Sequence, residues 1–395
     1  ESLADTARRY LDTLSATPGA SRSLKVETAI GYKRLADVVG VPSGANLGRR
    51  EEAGELLEIA TQELAALRAE APEDPAVLRA VAQTAFSYAV YNFISVDDSI
   101  KSMAKAQEAI AAWRELRAMG AATTDDLIGL ADAMALYGEA LAWENRGEEG
   151  VAMIADAVAL IDSLLAAQPG DVRLARARAE AAVDLGDAKS RHADFTGGGY
   201  QEALASLDDG VEGYRALAAA APDDWELLRS LASSLWKRAR VLYSMDRDAD
   251  ALLDLAEAEN YANTLIARDS EDLGAFRFRL LLLSQRALAL AYLGRFEAAA
   301  AASREGIAGR RMLASLQPGN PGHVKEIVDA ISALGEILTL AGDHEGACGA
   351  AAEAAAMLEP MREARSLGEY GEAQFVARIE RSIEDCQARG LVAAP

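Results

Sequence analysis

Apolar positions recur along this chain at three- and four-residue intervals in long runs, and the runs are broken by short polar turns. Between 227 and 242, Leu228, Leu231, Leu235 and Leu242 fall on helical intervals, the pattern of a helix packed on two sides. The punctuation predicts seven helical hairpins, with first helices near 21–40, 74–95, 123–145, 171–193, 224–245, 271–293 and 321–341. A leading helix at about 2–16 and a trailing one at about 369–389 would cap the ends. The second helices end near Pro72, Gly120, Pro169, Pro222, Asp269 and Pro318, marks that lie 47 to 53 residues apart. A recurrence of that kind predicts a helical array in which stacking buries a continuous core.

The turn inside each hairpin carries the most specific signal. It reads Gly199-Tyr-Gln-Glu202-Ala203, Gly294-Arg-Phe-Glu297-Ala298 and Gly342-Asp-His-Glu345-Gly346, with a looser form at Arg247-Asp-Ala-Asp250-Ala251. Glycine suits the left-handed residue that closes a helix, and an acid suits the positive end of the next one. Between hairpins, Ala71-Pro-Glu-Asp-Pro75, Gln168-Pro-Gly-Asp171 and Ala221-Pro-Asp-Asp224 place a proline to stop one helix and an aspartate to cap the next. These turns resemble those of tetratricopeptide (TPR) repeats. The standard unit is about 34 residues, so each helix here is about two turns longer than usual. The resemblance implies an all-α fold, a right-handed α-solenoid of about seven long hairpins. It implies one array over 1–395, with a capping helix in 1–20, repeats over 21–360 and a second cap in 361–395.

One segment resembles something narrower. Tyr32-Lys-Arg-Leu35-Ala-Asp37-Val-Val-Gly40-Val-Pro42-Ser-Gly-Ala-Asn46-Leu47-Gly48 is similar to a loop in the TPR arrays of bacterial serine/threonine kinases and adenylate cyclases, although Ala36 stands where that family usually has glycine. The resemblance implies the sensory or scaffolding half of a bacterial signalling protein. The opening at Glu1, without Met or a leader pattern, is what an excised fragment or processed product would show.

Composition sharpens the picture. Ala dominates, prolines number 10 and aromatics reach only 6%, all of which favour helix over strand. A hydrophobic share of 51% is enough to fold the chain despite a formal charge of -22. That acidity opposes attraction to nucleic acid and anionic lipid. The longest uncharged stretch, between Arg79 and Asp97, is interrupted by Gln83, Thr84, Ser87, Asn92 and Ser95, so no membrane insertion is expected. Cys348 and Cys386 form no CxxC pattern and no disulfide framework, which leaves the compartment open between cytoplasm and periplasm.

Catalytic chemistry finds little support. His344 and Cys348 are spaced like metal ligands, with Cys386 as a third candidate, but a metal needs three or four converging groups, and the simpler reading is a turn histidine beside a buried thiol. Ser190, His192 and Asp194 point to different faces of a helix and make no triad. Asp97-Asp98 and Asp125-Asp126 complete no aspartate-rich metal motif and read as helix caps, and Gly197-Gly198-Gly199 lacks the strand and lysine of a phosphate cradle. The expectation is a protein without catalytic residues and without cofactors. A small-anion regulatory domain and an α/α-toroid enzyme are the alternatives.

Charge placement marks a candidate site. The first helices of repeats four to six carry Arg173, Arg176, Arg178, Lys189 and Arg191, then Arg229, Lys237, Arg238 and Arg240, then Arg277, Arg279 and Arg286. The second helix at 248–269 carries Asp248, Asp250, Asp254, Glu257, Glu259 and Asp269. Basic inside and acidic outside is the implied layout. Arg279 and Arg286 share one helix face, as do Lys237 and Arg240. With Arg277, Arg176 and Trp236 they form the predicted binding set for a protein or peptide partner, an acidic one by charge. The simpler alternative is that these cations pair with neighbouring acids such as Glu180 and Asp184. Tyr88, Tyr91, Phe93, Trp236 and Tyr243 are either groove anchors or inter-repeat core.

Overall fold

The computed structural model describes residues 3–41, 47, 49–270, 272–316, 321–363 and 376–391. Among these all the regular structure is helical, without strands. A leading helix α1 (Leu3–Ser15) precedes seven hairpins: α2 (Arg22–Val39) with α3 (Arg50–Glu70), α4 (Pro75–Val90) with α5 (Ser99–Ala118), α6 (Thr124–Trp143) with α7 (Gly147–Ala167), α8 (Val172–Thr196) with α9 (Tyr200–Ala220), α10 (Trp225–Ser244) with α11 (Asp248–Arg268), α12 (Leu273–Tyr292) with α13 (Phe296–Leu316), and α14 (Pro321–Leu340) with α15 (His344–Glu363). A trailing helix, α16 (Ala377–Ala388), follows. A π-helical turn, Tyr91–Val96, extends α4. The expected helices are therefore present, within a few residues of their predicted bounds. Most of the Pro42–Gly48 loop lies outside the described residues, as does the start of the expected 369–389 helix.

Local chemistry accounts for the boundaries. Asp74, Asp171 and Asp224 each accept a backbone N–H from the first turn of the following helix, at 2.9 to 3.0 Å. Asp98 does the same for α5, with Lys101 N at 2.9 Å. Of Asp125 and Asp126, the second takes part in capping α6 as expected, though not as the N-cap residue itself. Thr123 caps α6, and Asp126 closes a capping box by accepting from the Thr123 backbone N–H at 2.8 Å. Between helices of a hairpin, Gly294 (φ +71°) and Gly342 (φ +78°) take the left-handed position. Asp97, Asn145 and Asp246 occupy it in other hairpins, with φ of 57° to 59°. Asp and Asn tolerate that conformation because their side chains bond the local backbone.

The chain forms two compact units, Glu1–Pro222 and Asp223–Pro395. In each, first helices pack on the first helices of the next hairpin: α2 on α4, α4 on α6 and α6 on α8 in the first unit, α10 on α12 and α12 on α14 in the second. No second helix packs comparably on the next among the described residues. First helices therefore share one side of each unit, where groups from successive repeats converge.

The core of the first unit runs through Leu64, Leu78, Leu116, Leu130, Ile161 and Leu174, all nearly inaccessible to solvent. Close crossing is made possible by glycine: a Cβ on Gly150 would lie 2.4 Å from Gly138 O. Helix α7 is long and apolar enough to meet the length and composition test for a membrane span. Here it is the second helix of its hairpin, with Ile154, Ala157 and Ile161 buried. In the second unit Ile327, Val328, Ile331, Ala354 and Leu358 form the core beside α16.

The cysteines correct the sequence-based expectation. Cys348 on α15 and Cys386 on α16 form a disulfide, with Cα atoms 5.7 Å apart. Separation along the chain concealed it, since the pairing depends on α16 folding back against α15. With both sulfurs in that bond, His344 has no thiolate partners for a metal.

Candidate functional site

Six of the seven predicted site residues lie in the second unit, on α10 and α12, while Arg176 lies on α8 of the first. Helix α12 contains no acidic residue and α10 only Glu226. The arginines divide by which way their helix turns them. Arg279 and Arg286 reach toward second helices: Arg286 Nη1 donates to Glu259 of α11 at 2.5 Å, and Arg279 pairs with Glu305 of α13 while lying 3.8 Å from the same Glu259. Arg238 makes a bidentate contact with Asp254 at 2.6 and 2.7 Å, the carboxylate buried and the guanidinium partly so. Arg229 binds Asp272 at 2.5 Å, and Arg178 bridges Asp162 and Asp209. These cations tie first helices to acidic partners within the stack.

Arg240 and Arg277 lie on the same two helices. Arg240 lies over the Trp236 ring, 5.4 Å from its centroid, and Trp236 meets Phe278 of α12 edge to face at 6.5 Å. Arg277, next to Phe278 in the chain, is exposed. Trp236, Lys237 and Arg240 occupy successive positions on one side of α10. One turn further along, Tyr243 and Tyr292 stack edge to face at 5.3 Å. Burial first, then the hydrogen bond with Tyr292 and the charges of Asp248 and Glu336, push the Tyr243 hydroxyl well above the usual tyrosine range. Trp236, Phe278 and Arg240 therefore combine aromatic rings with a guanidinium group where α10 and α12 meet, and Arg277 is exposed on the same helix as Phe278.

The first unit carries aromatic and cationic groups as well. Tyr88 and Tyr91 pack at 6.0 Å, with Lys105 Nζ 5.3 Å from the Tyr88 centroid and the Tyr88 hydroxyl donating to Glu58 at 3.2 Å. Phe93, in the π-helical turn, meets Trp143 at 6.4 Å, and Arg191 of α8 lies over Trp143 at 4.5 Å. Trp143, Phe278, Tyr292 and the stacking role of Arg191 were not in the predicted set. The repeat period is the signal that marks two of these pairs. Phe93 and Trp143 are 50 residues apart and Tyr243 and Tyr292 are 49, close to one repeat, so each pair holds equivalent places on successive first helices.

The first unit also departs from a basic interior. Asp132 of α6 faces Glu180 and Asp184 of α8, and burial, reinforced by those two like charges, holds its carboxyl well above the usual carboxylate range. Of the other possible chemical groups, His192 packs against Gly147, whose added Cβ would lie 2.6 Å from Nδ1, and Asp194 accepts the Tyr200 hydroxyl at 2.6 Å. They serve different contacts and form no relay with Ser190.

No protein-family model matches the chain, and no curated protein matches it in sequence. Solved structures do resemble it. A signal transduction ATPase with numerous domains and a tetratricopeptide repeat sensor, from Pyrococcus horikoshii, aligns with a TM-score of 0.51 at 13% identity, covering 98% of this chain and 52% of that one. A Rap protein complexed with competence and sporulation factor aligns at a TM-score of 0.45 and 13% identity, covering 98% of both chains. BtubC from P. vanneervenii aligns at a TM-score of 0.48 and 14% identity, over 66% of this chain and 91% of that one. The hairpin stack defines an all-α helical-repeat solenoid, and its fold is TPR-like.

Proposed function

We propose that this chain is a non-catalytic binding module, which accepts a peptide or protein segment on the shared first-helix side of its second unit. The observation that carries this reading is the strip of Trp236, Arg240, Arg277 and Phe278, where two rings and two guanidinium groups come from helices that carry almost no acid. Rings offer apolar area at small entropic cost, and guanidinium groups bind carboxylates directionally, so the favoured ligand is an acidic segment with an apolar or aromatic anchor. Arg279 and Arg286 take a supporting part in this reading: their acidic partners hold α12 in place. The resemblance of 32–48 to loops in bacterial kinase and cyclase arrays supports a place in a larger signalling protein, and the fold is one that the Pyrococcus horikoshii ATPase uses as a sensor.

A peptide-display selection against the intact chain tests the proposal. Enriched peptides should be acidic with a bulky apolar residue, be recovered chemically unchanged, and bind at least tenfold more weakly to Trp236→Ala and to Arg240→Glu, about 1.4 kcal/mol or more. Failure to enrich any common sequence, or equal binding by both variants, would remove the site from the second unit.

A further inference from the structure

The last helix of the second unit is held by two unlike attachments, one at each end. At its N-terminal end, Val376, Ile379 and Ile383 join the apolar cluster of Ile331, Ala354, Leu358 and Met361. Arg378 Nη2 donates to Asp329 at 2.7 Å, an ion pair open to solvent. At its C-terminal end, Cys386 in the last turn of α16 is bonded to Cys348 near the start of α15, and both cysteines are buried. The bond spans 38 residues of chain. At 12 residues α16 is too short to be stably helical on its own. The Arg378–Asp329 pair and the one between Arg362 and Glu380, at 3.6 Å, are open to solvent and contribute little, so the apolar cluster and the disulfide together keep this helix in place.

We propose that α16 is a redox-gated cap, closed over the end of the unit while Cys348 and Cys386 are joined and released when they are reduced. The reductant is a dithiol. One of its thiolates attacks Cys386 Sγ when the last turn of α16 frays, which forms a mixed disulfide and expels Cys348 as thiolate. Its second thiol resolves that intermediate, expelling Cys386 as thiolate and leaving the reductant as a disulfide. Two electrons pass to the protein, and both cysteines end as thiols after taking up protons. Once the long loop is no longer closed, the entropy of the freed segment opposes docking by Val376, Ile379, Ile383 and the exposed ion pairs. Release uncovers Ile331, Ala354, Leu358 and Met361. Oxidising compartments keep the cap shut, and reducing ones open it.

Hydrogen exchange on the full chain, purified in air and then treated with dithiothreitol, tests this directly, with thiol titration confirming zero and then two free cysteines. On reduction, amides in 377–388 should exchange at least about tenfold faster, those of α10 to α13 should not change, and an apolar dye should gain fluorescence. The Cys348→Ala/Cys386→Ala variant should show the same fast exchange without reductant and no response to it. The cap is refuted if α16 stays protected after both thiols are titrated. It is equally refuted if protection is lost across the whole second unit of the reduced native chain, which would make the bond a fold-wide staple, or if two thiols titrate in the air-purified protein.

Discussion

Arg79 on α4 holds Asp126 on α6 with two nitrogens: Nε donates to both carboxylate oxygens at 2.9 Å and Nη2 to one of them at 2.8 Å. The same guanidinium donates to Ala121 O at 3.0 Å, and Asp126 also closes the Thr123 capping box. One carboxylate thus joins two consecutive repeats and starts a helix.

Removing Arg79 leaves the buried Asp126 carboxylate short of hydrogen bonds, so Arg79→Ala should destabilise the first unit by about 3–5 kcal/mol in denaturant titrations, and Asp126→Ala, which leaves a partly exposed guanidinium, by about 1–3 kcal/mol. Burial pushes the Asp126 carboxyl up, but the Arg79 and Thr123 contacts outweigh it and hold it below the usual range. A depressed carboxylate adds stability above the ordinary value, about 3.9, and that stability is lost as the pH falls through the folded-state value. The wild type should therefore lose more stability than Asp126→Ala on acidification below about pH 4.

Asp132 should behave in the opposite sense. Its raised carboxyl favours the folded state when protonated, so its contribution is fully present below the ordinary value and is lost as the pH rises through the folded-state value. Asp132→Asn should raise the Tm at neutral pH and flatten the decline in stability that the wild type shows as the pH rises from about 4. A lower Tm for the variant at pH 7 would show that the carboxylate is compensated by its surroundings.

The crossing of α6 and α7 tolerates no added methyl group. Since a Cβ on Gly150 would lie 2.4 Å from a backbone oxygen, Gly150→Ala should lower stability by about 1–3 kcal/mol. Gly170→Ala is the control, with nothing within 4 Å of the new carbon, and should stay within about 0.5 kcal/mol of the wild type by thermal and chemical melts.

Charge reversal should separate structural arginines from binding ones. Arg279→Glu with Arg286→Glu sets new carboxylates beside Glu259 and Glu305 and should lower the Tm of the second unit, by about 1–3 kcal/mol in stability. Arg277→Glu, on an exposed side chain, should move stability by no more than about 0.5 kcal/mol yet weaken capture of acidic peptides. Calorimetry and peptide binding on the same samples distinguish the two effects.

Helix bounds, hairpin count and repeat period were legible in the sequence because each has a local cause. Apolar spacing sets the buried faces, aspartates cap at fixed offsets, and left-handed positions collect Gly, Asn or Asp. The basic character of α10 and α12 was legible too, since it is a count along single helices. Whether Arg279 pairs with Glu305, whether Arg240 lies over Trp236, and whether Asp132 faces Glu180 and Asp184 depend on the rotation of each helix against its neighbours. So does the joining of Cys348 to Cys386. A rotation of one residue, about 100°, would exchange these partners while leaving the helical pattern unchanged, so only the packed tertiary structure decides them.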